Sequence, residues 1–160
     1  MSNAISDSER LKRLASYVPV LSDEAKPFFE SGQMVGRGTW DEPFEFGSAG
    51  PFPAEIGNAF VEIAYATGWV RNDFDWMDWS VTEEGADLRE SRVSVLRANQ
   101  DQLEKLLTSF IKADRLIDGA LQDAYSRGML LAIAERARAF LDEKYSRMGP
   151  VAFSNYIFAD

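Results

Sequence analysis

The sequence contains no cysteine and no histidine among its 160 residues. Without cysteine there are no disulfides, no thiolate ligands and no iron–sulfur cluster, so the fold rests on its packed core. Without histidine the commonest general base and the commonest transition-metal ligand are missing. That excludes Ser-His-Asp and Cys-His catalysis as well as zinc fingers. Long hydrophobic runs are lacking too. No stretch approaches the roughly 20 apolar residues that span a bilayer, and the N-terminal MSNAISDSERLKRL has no apolar secretory core. A cytoplasmic protein without membrane contact is the expectation. Positive charge is scarce: 17 Lys and Arg stand against 26 Asp and Glu, a formal net charge of −9. Such a surface does not displace counterions from a phosphate backbone, so nucleic acid is not an expected partner. The deficit sits in residues 1–80, with 6 basic and 13 acidic groups, against 11 and 13 in residues 81–160. A basic protein partner would complement it.

What is present is ordinary for a globular chain, 46% apolar and 27% charged, and the length points to one domain over 1–160. The apolar spacing predicts a mainly α architecture of about five to six helices with little or no β-structure. Residues 5–31 read as N-terminal helices: Leu11, Leu14, Ala15 and Val18 share a face, Pro19 interrupts it, and Ser22-Asp23-Glu24 supplies a second start. Residues 32–53 are rich in glycine and proline yet carry Trp40, Phe44, Phe46 and Phe52. They read as an ordered loop packed across the domain by its aromatics, with one short edge strand near Pro43–Phe46.

Residues 54–145 form the predicted helical core. Ile56, Phe60, Ile63, Ala64 and Thr67 give residues 54–67 one apolar face, and Gly68 ends it. WVRNDFDWMDW, residues 69–79, reads as a short extended or turning piece. Thr82-Glu83-Glu84 opens a helix to residue 90, and SRVSVLR, residues 91–97, alternates like a short strand. Asn99 and Gln102 stand at capping-box spacing before a helix over 100–116, with Leu103, Leu106, Leu107, Phe110 and Ile111 as its stripe. Helices over 119–127 and 129–145 follow, the last carrying Met129, Leu130, Ile133, Ala137, Phe140 and Leu141 on one side. The tail, 146–160, holds Phe153, Tyr156, Ile157 and Phe158, too apolar for water. It folds back on its own domain or docks on a protein partner, a second copy in a homodimer being the sharper case.

Two clusters carry candidate chemistry. In Asp73-Phe74-Asp75-Trp76-Met77-Asp78-Trp79 three carboxylates alternate with aromatics. Oxygen-only ligation suits Mg²⁺ or Ca²⁺, and paired carboxylates can share a proton. Met77, however, stands where a calcium loop needs a ligand, and the turn glycine is missing. No metal site and no cofactor are assigned. The competing reading places Phe74, Trp76 and Trp79 in the core while the aspartates cap turns or face water. In the second cluster, Asp114, Arg115 and Asp118, the guanidinium of Arg115 suits a phosphate or carboxylate. Its competitor has Asp118 capping the next helix and Arg115 complementing a helix C-terminus.

Gly68-Trp69, Phe74-Asp75-Trp76, Ala113-Asp114-Arg115, Gly119, Leu121, Ala124 and Gly128 together make residues 54–141 resemble an uncharacterised bacterial domain family of unknown function. Leu116 departs from the aromatic expected at its position. The resemblance brings no activity and points to the same Asp, Arg and Trp positions. The leading expectation is a non-enzymatic binding or regulatory module with an acidic, aromatic-rich recognition surface. The alternative is an enzyme or ligand-binding domain for a phosphorylated or nucleotide-like small molecule, with Asp75, Trp76, Asp78, Trp79, Asp114, Arg115 and Asp118 around one cleft.

Overall fold

The computed structural model describes residues 5–23, 28–30, 34, 35, 40, 45, 46, 52, 53, 55–117 and 119–148. Helix α1 (Asp7–Ala15) begins at Ser6, whose hydroxyl accepts the Glu9 N–H at 3.2 Å, and it buries Leu11, Leu14 and Ala15. Helix α2 (Val18–Ser22) carries Pro19 in its first turn, where an N–H has no helical partner to lose. Ser22 therefore ends a helix where the sequence predicted a beginning, and the predicted second helix gives way to extended backbone at Phe29. The proline read as an interruption is instead an initiator.

Four two-residue strands pair antiparallel: β1 (Phe29–Glu30) with β4 (Phe52–Pro53), and β2 (Met34–Val35) with β3 (Glu45–Phe46). β3 is the short strand expected near Pro43–Phe46. Trp40, expected to pack inward, is fully exposed. Phe44 and most of the glycine-rich loop lie outside the described residues.

Helix α3 (Glu55–Ala66) buries Phe60 and Ala64, and Phe28 and Tyr17 meet the Phe60 ring edge-on at 5.6 and 5.2 Å. It ends at Gly68, whose φ of +76° is a conformation that side chains disfavour. Three short helices follow: α4 (Trp76–Ser80), α5 (Glu83–Glu90) and α6 (Arg92–Leu96). The segment 91–97, predicted as a strand, is α6. The Ser91 hydroxyl caps it by accepting the Ser94 N–H, and Val95 is buried while Val93 and Leu96 face water. Alternation this brief does not separate a strand from a turn and a half of helix. Likewise 76–80, read as extended or turning, is a helical turn because Asp75 caps it.

Helix α7 (Gln100–Ala113) has the predicted capping box between Asn99 and Gln102 and ends three residues earlier than expected. Helices α8 (Ala120–Ser126) and α9 (Met129–Met148) complete the described chain. The predicted stripes form the centre: Leu103, Leu106, Leu107, Met129, Leu130, Ile133, Ala137 and Leu141 are at most 1% exposed. Burying each large member favours folding by about 1.5–3 kcal/mol of transfer free energy. α1 and α6 make the most extensive contacts with α9. Among the described residues no helix is long and apolar enough to cross a membrane. Asp118 and the tail with Phe153, Tyr156, Ile157 and Phe158 lie outside the described residues.

Candidate functional site

Asp75 has a local task. It sits in extended backbone before α4, and its Oδ1 accepts the Met77 and Asp78 N–H groups at 3.1 Å each. Those are two of the donors a helix start leaves unpaired. Asp78 lies in the first turn, exposed. Trp79 is buried, with its indole N–H donating to Glu84 Oε2 at 2.9 Å and the Phe74 ring meeting it edge-on. The Gln102 amide donates to the other Glu84 oxygen at 2.7 Å. These two donors, Gln102 foremost, hold the Glu84 carboxyl below its ordinary value.

The neighbouring Asp73 is bound elsewhere. Arg71 forks onto it through Nε and Nη2, both at 2.9 Å, and its Nη1 donates to Asp101. Lys105 reaches the other Asp101 oxygen at 3.2 Å. Hydrogen bonds from Arg71 are the main reason both carboxyls lie below the usual range. Arg10 lies across the same depression. It donates to Thr67 and Gly68 carbonyls and to Glu104 at 3.1 Å, and its guanidinium stacks 4.7 Å from the Trp69 ring. Both cations are satisfied by their own chain, so this depression is a salt-bridged seam. Among the described residues no group of three or more carboxylates is placed to hold a metal ion.

Asp114 and Arg115 part company at the end of α7. Asp114 Oδ1 accepts the Leu121 N–H at 3.1 Å, so a side chain from the end of α7 reaches the first turn of α8; the capping role expected of Asp118 lies outside the described residues. Gly119, at φ +89°, occupies the N-cap position without a side chain to offer. Arg115 is exposed, hydrogen-bonded to the Tyr65 hydroxyl and 5.3 Å from its ring centroid. Both charges border a small hollow of about 190 Å³ against α3, with Asn58, Glu62 and Tyr65. Trp76 faces another place, so the structure does not gather Trp76 and Arg115 around one cavity.

That other place is an apolar groove of about 560 Å³ between α4, the end of α7 and α8. Trp76, Met77, Val81, Phe110, Leu116 and Ile117 form its walls. Several are strongly exposed: Met77 53%, Val81 76%, Leu116 67% and Ile117 65%. Exposed single apolar side chains are common, but four along one groove form a contiguous surface. Arg89, Asp123 and Arg127 rim it. Arg127 is held by Asp123 at 2.9 Å, whereas Arg89 donates to the Ser80 carbonyl and has no ion pair among the described residues. Sequence reasoning singled out Trp76 and missed the rest. The available signal was Leu116-Ile117, an apolar pair out of register with the stripe that ends at Ile111.

No curated protein and no solved structure matches the chain. A family model matches residues 6–143, and the chain accordingly belongs to that family, the family of unknown function DUF6508.

Proposed function

We propose that this protein is a single-domain, non-enzymatic binding module. Its groove takes an apolar peptide segment that carries an acidic group. One observation supports the reading above others: the exposed apolar wall of Met77, Val81, Leu116 and Ile117 beside the half-buried Trp76. Methionine adapts to varied apolar partners, and the tryptophan in the wall supplies a rigid contact face. Arg89 gives the rim a cation with capacity for a carboxylate. The recognition surface thus moves from the acidic first half to the region 76–127. The small-molecule alternative needs Asp75, Trp76 and Arg115 to act together. Here Asp75 is spent on a helix cap and Arg115 on Tyr65, in a different hollow.

Anilinonaphthalene sulfonate, an apolar aromatic anion, tests the groove directly. In a Phe153→Ser/Phe158→Ser background, which keeps the chain's own apolar C-terminal residues from competing for the groove, the folded chain should enhance its fluorescence, and adding Leu116→Asp or Ile117→Asp should remove most of that enhancement. Undiminished enhancement in both variants would overturn the reading. Circular dichroism on each variant confirms folding, which two side chains this exposed do not control.

A further inference from the structure

Resting on that reading of the groove, we infer that its occupant is residues 151–158 of a second copy of this chain, so that two copies exchange C-terminal segments. The segment has the required chemistry: Val151, Phe153, Tyr156, Ile157 and Phe158 are apolar, and Asp160 follows with a carboxylate. Gly149-Pro150 separates it from α9, since proline cannot continue a helix.

Reach selects the partner copy over the same chain. Arg127 lines the groove and lies two residues before the start of α9, so the groove sits at the N-terminal end of that helix. The segment leaves from the other end. Twenty helical residues separate the two by about 30 Å. An extended chain covers at most about 3.3–3.6 Å per residue, so the ten residues after Met148 barely return that far. Within one chain, only Ile157 and Phe158 would arrive at the rim, and Val151 and Phe153 would be left along α9. Between copies the restriction disappears, and the whole segment can lie in the groove. A two-fold arrangement makes the contact reciprocal, each copy giving one segment and receiving one. The carboxylate of Asp160 then has Arg89 within the same rim.

Complementation between variants tests the exchange. The full chain should sediment as a dimer. Ile117→Asp damages the groove and Phe153→Ser/Phe158→Ser damages the segment, and each variant alone should sediment as a monomer. Mixed together, they should associate as a one-to-one pair, because one intact groove and one intact segment remain. A monomeric full chain, or variants that fail to associate on mixing, would overturn the exchange. A monomer in which Phe158→Ser shifts the Ile117 methyl resonance would place the segment in its own groove and overturn it equally. Dye binding separates the two claims: if the full chain is a monomer while the segment variant binds the dye through Ile117, the exchange falls and the groove reading stands.

Discussion

Gly85 lies inside α5, where replacing glycine by alanine ordinarily stabilises a helix by up to about 1 kcal/mol. Here the opposite sign is expected. A Cβ at residue 85 would stand 2.1 Å from the Trp79 carbonyl oxygen and 2.9 Å from Ser80 Cα. Both are backbone atoms, so no side-chain rotation relieves the clash, and α4 must retreat from α5 by about 1 Å to restore ordinary contact. The Trp79 carbonyl is also an acceptor hub. It receives the Thr82 N–H at 3.0 Å and the Thr82 hydroxyl at 2.6 Å, and the same hydroxyl caps α5 by accepting the Gly85 N–H at 3.1 Å. Displacement therefore adds part of a lost cap, about 1 kcal/mol, to overpacking of about 1–3 kcal/mol. Less the propensity gain, Gly85→Ala should cost about 2 kcal/mol. At this chain length that lowers Tm by about 4–8 °C. Thermal unfolding followed by far-UV circular dichroism reads the shift. A Tm equal to or above that of the parent would refute the close approach of α4 and α5. A double-mutant cycle with Thr82→Ala adds a check, because residues sharing one carbonyl should give a non-additive pair.

Two further perturbations probe the seams that hold the groove's elements. Thr108, fully buried, accepts the Arg71 N–H at 3.0 Å and donates to the Trp69 carbonyl at 3.1 Å. Thr108→Val keeps the shape, strands both backbone groups and should cost about 1–3 kcal/mol in urea unfolding; a neutral result would contradict the bridge. Glu84 titrates below its ordinary value in the folded chain, so its contribution is complete above the unfolded value and disappears as pH falls through the folded one. The stability difference between the parent and Glu84→Gln should accordingly be largest near neutral pH and shrink as pH drops below about 4.3. A difference that stays constant across that range would argue against the hydrogen bonds from Gln102 and Trp79.

The parts of the fold legible in the sequence are those fixed by helical spacing and local caps. The stripe Leu103 to Ile111, the box at Asn99 and Gln102 and the cap at Thr82 depend on residues three or four apart, which is the reach of a helical turn. Segment 91–97 misled because five helical residues carry too few side chains to show a period, and burial of Val95 under tertiary packing decided the outcome. The candidate residues fared according to distance. Asp75 acts on the residues two and three positions further on, within the reach of the capping role read for the aspartates of this segment. Asp114 reaches Leu121 across a chain reversal, and Arg115 meets Tyr65 fifty positions away, neither of which any local pattern specifies. The groove was hidden for the same reason: Met77 and Val81 belong to α4 and its C-cap whereas Leu116 follows α7, and they become one surface only when α4 packs on α7.

The most direct test of the groove is a titration of the synthetic peptide 149–160 into the Phe153→Ser/Phe158→Ser chain, followed by methyl NMR. The resonances of Met77, Val81, Leu116 and Ile117 should shift together with peptide concentration, while Val93, equally exposed but on α6, should stay in place. Unchanged groove methyls, or shifts centred on Val93, would contradict binding of an apolar segment between α4, α7 and α8.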